Sequence, residues 1–317
     1  MKRIRWIDFL RGIAMLTIFV FHTEVYYKEH EVTPYHVYTT NAIILFYFIS
    51  GYLFFNEKKF NLKRKTLSIV RFMLIPYFIF TPIIGLLKNI VYGTYNFKES
   101  IIDIITGRAS WFIVTLIVAE LAFSLLLAAS CRKCVWLIIV SSACFIFYYH
   151  IPFNLYNYWQ WQDVLLAMPF LLAGYLFHQY EKRIICTTKA LYLIPLTVLF
   201  IIIKAYEIEL NPTMRNISIE HIPLFLADSM LFLLIIISII KYIPMCKSIE
   251  WIGSHSIVYY FLCGGCPLIV SKTFNYIGVS YDNYLYRFTL AVICCLLLAT
   301  LLTWFIYKYV PCVVGKK

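Results

Sequence analysis

WIDFLRGIAMLTIFVFHTEVY, residues Trp6 to Tyr26, is long enough to cross a bilayer yet carries Asp8, Arg11 and His22. A helix needs roughly 20 mostly apolar residues to span the hydrocarbon. A charge near the bilayer centre costs at least ~2.5 kcal/mol on insertion scales, so such residues face a cavity or a partner. Eleven helical steps separate Arg11 from His22. At about 100° per residue they turn about 1100°, roughly 20° beyond three full turns. Both side chains therefore leave the helix on nearly the same face, ~16 Å apart along its axis. Asp8 lies one turn below Arg11, at the i,i+3 spacing where a carboxylate meets a guanidinium. This stripe has two readings: a helix buried in a bundle with its charges paired for structure, or a reactive centre.

The rest of the chain sets the context. Of its 317 residues, 62% are hydrophobic and 14% charged, with a mean hydropathy of +0.78. Apolar runs recur throughout, which marks an all-α, polytopic membrane protein rather than a soluble one. Lys2, Arg3 and Arg5 precede the first run as in a signal peptide. Asp8 and Arg11 interrupt that run and no small-residue cleavage site follows, so the segment reads as an uncleaved first span.

Ten spans are expected, at about 6–26, 42–55, 67–87, 111–129, 135–149, 164–177, 190–205, 222–242, 256–270 and 288–309. The second, sixth and ninth are short for a full crossing and are expected to be broken or enclosed by neighbours. Lys and Arg then set the orientation. With the N-terminus inside, the cytoplasmic segments hold 18 of them: Lys2, Arg3, Arg5, Lys58, Lys59, Lys63, Arg64, Lys65, Arg132, Lys133, Lys182, Arg183, Lys189, Lys241, Lys247, Lys308, Lys316 and Lys317. The opposite side holds 8: Lys28, Lys88, Lys98, Arg108, Lys204, Arg215, Lys272 and Arg287. Both termini are thus expected in the cytoplasm. The asymmetry accounts for much of the net charge of +12 without a nucleic-acid partner. No repeat or linker stands out, so residues 1–317 read as a single transmembrane domain.

Ten cysteines suggest little chemistry. Cys144, Cys263, Cys266, Cys294 and Cys295 fall in apolar segments, where the residue is a small hydrophobe. Cys131 and Cys134 make a lone C-x-x-C, whereas zinc asks for four ligands, so no metal is expected. The outer segment 148–163, YYHIPFNLYNYWQWQD, has no Lys or Arg. It reads either as an interfacial aromatic belt or as a sugar platform, with Asn154, Asn157, Gln160, Gln162 and Asp163 supplying hydrogen bonds. A further outer loop, 206–221, holds Glu207, Glu209 and His221, to which no role is assigned.

The pattern D-x-x-R-G-x9-H, formed by Asp8, Arg11, Gly12 and His22, resembles the opening of the acyltransferase family 3 membrane proteins, which carry Arg-x10-His in their first helix. Four further stretches are similar to that family. They are Ser50-Gly51 within FYFISGYLFF, Arg71 followed by Pro76-Tyr77, Trp111-Phe112-Ile113, and Gly253, Ser256 and Tyr260 in WIGSHSIVYYFLC. The resemblance breaks at Cys263, which stands where a histidine is expected, leaving His22 as the well-placed imidazole within a span.

The resemblance implies transfer of an acyl group, often acetyl, from cytoplasmic acyl-CoA to a hydroxyl of an envelope or lipid-linked glycan, at the inner membrane. His22 would act as general base or as a covalent acyl carrier, with Arg11 lower on the same face near the donor phosphates and Asp8 orienting Arg11. Arg71, Arg64 and Lys65 would meet the phosphates of acetyl-CoA, although inside-positive charge also explains the 58–65 loop. Ser50, Gly51, Tyr77 and Trp111 would line the path, Ser50 being the candidate oxyanion donor; helix packing and interfacial anchoring explain the same residues. The alternatives are a flippase or exporter of a glycan or lipid-linked sugar, using His22 as a relay, and a membrane scaffold in which Arg11 and His22 do no chemistry.

Overall fold

The computed structural model describes residues 4–28, 35–55, 60–93, 96–151, 157–187, 192–210, 222–240, 242–279 and 285–316. Lys2, Arg3, Lys58, Lys59, Asn154, Lys189, Arg215, His221, Lys241 and Lys317 lie outside them, as do the side chains of Lys182, Arg183, Glu207 and Glu209. Among the described residues every regular element is helical. The helices are α1 (Arg5–Lys28), α2 (Tyr35–Phe54), α3 (Leu62–Ile69), α4 (Ile75–Tyr92), α5 (Phe97–Ile105), α6 (Trp111–Ala129), α7 (Cys134–His150), α8 (Trp161–Thr187), α9 (Leu193–Leu210), α10 (Ile222–Ile240), α11 (Lys247–Ser254), α12 (Ser256–Leu262), α13 (Cys266–Tyr276) and α14 (Leu285–Tyr309). A π-helical turn, Val70–Leu74, joins α3 to α4.

Among the described residues six helical runs are long and apolar enough to cross a membrane: α1, Val37–Phe54 of α2, the continuous run Leu62–Tyr92, α6, α10 and α14. The pair α12 and α13, bent by 41° at a three-residue break, makes a seventh if read as one span. This is the broken ninth segment expected from the sequence. The second segment is enclosed instead: 83% of its apolar window is buried. It is also not short, because the polar stretch Tyr35–Asn41 continues the helix to 20 residues. The sixth segment extends likewise, α8 reaching 27 residues through His178–Thr187. Hydropathy started α2 seven residues late and ended α8 ten residues early, since a helix can continue through polar residues. The apolar helices Cys134–His150 and Leu193–Tyr206 are shorter. Ile83, Leu86 and Ile90 of α4, Val135 and Ile139 of α7, and Leu297 and Leu301 of α14 are exposed. Apolar surface on this scale suits lipid rather than water. The chain is a multi-pass membrane protein.

The chain divides into two compact units. Unit 1 takes Met1–Thr33, Leu67–Ile113 and Cys246–Lys317; unit 2 takes Pro34–Thr66 and Val114–Met245. In unit 1, α1 is the buried helix, packed mainly against α11 and also against α13 and α14. Glycine lets α1 and α11 touch backbone to backbone. A Cβ on Gly12 would sit 2.1 Å from the Ile249 carbonyl oxygen, and one on Gly253 1.7 Å from that of Asp8. Gly253, matched above to a family stretch, is thus a packing residue. In unit 2 the principal pair is α2 and α8, built the same way: a Cβ on Gly51 would meet the Leu171 carbonyl at 1.9 Å, and one on Gly174 that of Phe48 at 1.9 Å. Small residues that admit close backbone approach are the usual means of helix association in lipid.

Candidate functional site

Unit 1 holds Asp8, Arg11, His22, Arg71, Tyr77 and Trp111. α1 is unbroken from Arg5 to Lys28, so the sequence-based rotation stands: Arg11 and His22 share one face. Both are half-buried, and Asp8 is buried a turn below Arg11. The start of the helix is clamped by Arg5, whose Nη2 and Nε bond the two oxygens of Glu250 at 2.7 and 3.2 Å. Clamp and glycine contact together fix the level of Asp8 and Arg11 on α11.

Higher on α1 the His22 imidazole stacks on Tyr26, with ring centroids 6.2 Å apart and planes 23° from parallel. Phe21 also meets it, edge-on at 5.7 Å. Lys88 of α4 holds its ammonium 5.6 Å from the Tyr26 ring centroid. The same nitrogen lies 3.9 Å from where a Cβ on Gly264 would sit, at the α12–α13 break. Contacts thus link His22, Tyr26, Lys88 and the Cys263-Gly264-Gly265 turn. Cys263, in the position of the expected histidine, is buried and directs its thiol to the Tyr260 carbonyl at 2.8 Å. An imidazole can remove a proton from a hydroxyl, and an ammonium can stabilise the oxyanion formed at an attacked carbonyl. Sequence reasoning had counted Lys88 as a loop charge. A cation eleven residues beyond Tyr77 on one amphipathic helix was the signal available, the same spacing as Arg11 to His22.

Arg71 lies in the π turn. Pro76 has no N–H, so the α-helical ladder is interrupted there; the preceding Ile75 N–H reaches back to Val70 rather than to Arg71. The helix then continues, with Pro76 accommodated by a π-bulge, a feature common at functional sites. The half-buried Arg71 guanidinium lies 5.4 Å from the Phe72 ring centroid. Tyr77 is buried and its hydroxyl donates to the Ile104 carbonyl at 2.6 Å, which ties α4 to α5. Trp111 opens α6 half-buried, edge-on to Phe112.

Unit 2 holds Ser50, Gly51, Arg64 and Lys65. The segment 62–65 is not a loop but the first turn of α3, capped by the Asn61 side chain, which accepts from the Arg64 backbone N–H at 2.9 Å. The cations Arg64 and Lys65 on this turn differ in exposure. Arg64 is exposed. Lys65 turns inward, its ammonium 2.8 Å from Glu120 Oε2 and 4.0 Å from the Phe54 ring centroid. The Ser50 hydroxyl donates to the other oxygen of Glu120. Ser50, Glu120 and Lys65 thus form one buried centre, and the Ser50 proton faces a carboxylate rather than an oxyanion. Sequence reasoning passed over Glu120, although an acid ten residues into the apolar stretch WFIVTLIVAEL is the kind of signal that marks an intramembrane site. The C-x-x-C ends in a thiol, Cys134, that bonds Gln179 Oε1 at 3.3 Å.

No curated protein matches the chain, and no solved structure does. A family profile described as "Acyltransferase domain" matches residues 4–308, nearly the whole chain and segments of both units. With an unbroken first helix that carries arginine and histidine on one face, the chain belongs to acyltransferase family 3.

Proposed function

We propose that the protein transfers an acyl group, acetyl in the first instance, from cytoplasmic acyl-CoA to a hydroxyl of an envelope or lipid-linked glycan. Both units are taken as parts of one domain, 1–317, in the inner (cytoplasmic) membrane. We take the six long apolar helices, the bent pair, and α7, α8 and α9 as its ten spans, with both termini inside; the six helices and the bent pair support this reading by their length and composition. The observation that carries the reading is the shared face of Arg11 and His22 on the buried helix of unit 1.

In this reading the phosphates of the donor meet Arg11 and Arg71 of unit 1, since guanidinium groups suit phosphate oxygens, and the exposed Arg64 of unit 2 is a separate phosphate candidate. Lys65 contributes less, being engaged by Glu120. The thioester comes to rest beside His22. The imidazole removes the proton of the acceptor hydroxyl, whose oxygen attacks the thioester carbonyl. Lys88 stabilises the resulting oxyanion. The intermediate collapses with loss of the CoA thiolate, which takes up the proton, so the products are an ester and free CoA thiol. Asp8 offsets the charge of Arg11 and keeps it oriented.

Mass spectrometry of envelope glycans from cells with and without the gene tests this directly. An acetyl-sized increment present only with the gene, and lost in His22→Ala and Arg11→Ala at matched expression, is the expected result. Identical glycan masses in the two strains, or full acylation by His22→Ala, would overturn it.

A further inference from the structure

Unit 2 has a second polar centre at the N-terminal ends of α2 and α10. Lys204 of α9 bonds Asp228 Oδ2 at 2.8 Å, and the Asn41 amide donates to the same carboxylate. Asp228 is 1% exposed and Asn41 3%. Among the described residues, Asp228 Oδ1, Asn41 Oδ1 and the buried Thr40 hydroxyl have no hydrogen-bond partner.

The register of α2 on α8 brings further groups to this level. The two helices run parallel: Phe48 meets Gly174, and the Tyr52 carbonyl meets His178 Nδ1 at 2.7 Å. From the Phe48–Gly174 contact, Asn41 lies ~10 Å back along α2 and Asp163 ~16 Å back along α8, at 1.5 Å per residue. From the Gly51–Leu171 contact the same two distances are ~15 and ~12 Å. Asn41 and Asp163 therefore stand at one level to within about a helical turn. Asp163 is 1% exposed; its Oδ2 accepts from Asn157 at 3.0 Å. Its Oδ1 and the neighbouring Gln162 Nε2 have no partner among the described residues.

Two buried carboxylates thus each have one oxygen held by nitrogen donors and one buried oxygen without a partner among the described residues. The open set is mostly acceptors, with an amide nitrogen and a hydroxyl that can donate. An anion would be repelled by both aspartates. A cation would meet the Lys204 ammonium and the Gln162 amide. A neutral ligand rich in hydroxyls fits, because each hydroxyl donates and accepts at once. We propose that this end of unit 2 is a carbohydrate-binding subsite in which Asp228, Asn41 and Asp163 accept hydrogen bonds from sugar hydroxyls. It deepens the proposed function and rests on the reading of a carbohydrate as acceptor.

The test uses the full-length protein in nanodiscs. The probe is the glycan isolated from cells lacking the gene and treated with mild base to remove esters. Thermal shift reads glycan binding, a separate titration reads acetyl-CoA binding, and radiolabelled acetyl-CoA reads transfer. Asp228→Asn and Asn41→Ala are expected to weaken glycan binding at least tenfold while acetyl-CoA binding stays at the wild-type value. Wild-type glycan affinity in both variants overturns the proposal, as does failure of the wild type to bind the glycan. Glycan binding without transfer to any acceptor overturns the acyl-transfer reading instead and leaves the subsite standing. Should Asp228→Asn lose the folded state, Thr40→Val decides: it removes one hydroxyl and no charge, and unchanged glycan affinity there overturns the subsite.

Discussion

Gly253→Ala is the sharpest test of how α1 is held. The added Cβ would lie 1.7 Å from the Asp8 carbonyl oxygen and 2.6 Å from the Gly12 nitrogen. Ordinary contact begins at 3.4 Å, so α1 and α11 must separate by about 1.7 Å along that line. The obstacle is backbone, which cannot swing aside as a side chain does. Overpacking of this kind costs about 1–3 kcal/mol, and the upper end is expected because a whole helix must move. The moved segment carries Asp8 and Arg11, so acyl transfer should fall with stability. Gly85→Ala is the internal control: it lies inside α4 with nothing within 4 Å of its Cβ position. Alanine there should be neutral or stabilising by up to about 1 kcal/mol, the helix-propensity difference. Gly12 and Gly253 share one contact, so the double alanine variant should cost less than the two single costs added. Fluorescence-detected size-exclusion chromatography after a temperature ramp in detergent reads all four variants. A Gly253→Ala protein that survives to the wild-type temperature, or a Gly85→Ala protein that fails as early as Gly253→Ala, would refute the reasoning.

Glu120→Ala should lower the apparent Tm markedly, because removing one partner of a buried pair costs about 3–5 kcal/mol; Lys65 is a quarter exposed, which pulls the figure to the low end. The double variant Glu120→Ala with Lys65→Met should recover part of the loss, and no recovery would mean that the pair is not the source. Gly51→Ala should destabilise unit 2 as Gly253→Ala does unit 1, since its Cβ would meet the Leu171 carbonyl at 1.9 Å; an unchanged melting curve would contradict the α2–α8 contact. Cys131, Cys246 and Cys312 are exposed, and the proposed orientation puts all three in the cytoplasm, so a membrane-impermeant maleimide should label them in inside-out vesicles and not in intact cells. Cys246 should also keep reacting at lower pH than the other two. The backbone N–H groups of Ile249 and Ser248 at the start of α11 lower its thiol pKa, so the thiolate persists as pH falls and alkylation slows later; parallel rate–pH curves for the three would count against that geometry.

The first helix was legible because its information is local. Rotation along one helix follows from residue spacing alone, so the shared face of Arg11 and His22 needs no knowledge of neighbours. The all-helical architecture was legible for the same reason, through hydropathy, and the shortness of the ninth apolar run pointed to a broken or enclosed segment, of which the bent pair α12–α13 is the broken form. What failed was partner choice. Lys65 read as a loop cation, yet it turns toward an acid 55 residues further along the chain. Ser50 read as an oxyanion donor, yet the same acid takes its proton. Tyr77 read as site-lining, yet its hydroxyl reaches a carbonyl on α5. Each depends on which helices adjoin, and that is set by contacts such as Gly51 on Leu171 that no spacing rule announces. Helix ends failed for a related reason: Tyr35–Asn41 is too polar to look like a span, yet within it Thr39, Thr40 and Asn41 are buried against protein.

These pairings change the charge argument without reversing it. Lys65 and Lys204 each sit 2.8 Å from a buried carboxylate, Glu120 and Asp228, so neither is a loop charge that an inserting chain would retain on one side. Lys88 lies within α4 and leaves the outer set as well. Removing Lys65 from the 18 inner charges leaves 17, and removing Lys204 and Lys88 from the 8 outer ones leaves 6. In the proposed orientation the inward excess goes from 18 against 8 to 17 against 6, so it does not depend on the charges that the sequence misplaced. The buried lysines follow a different rule from the loop lysines. A carboxylate in a span requires a cation beside it, and the energetic reason for Lys65 and Lys204 is therefore Glu120 and Asp228 themselves. The question for function then moves to the acids. An apolar residue at either site would need no lysine, and the pairs would be dispensable unless the carboxylates act on something other than their partners.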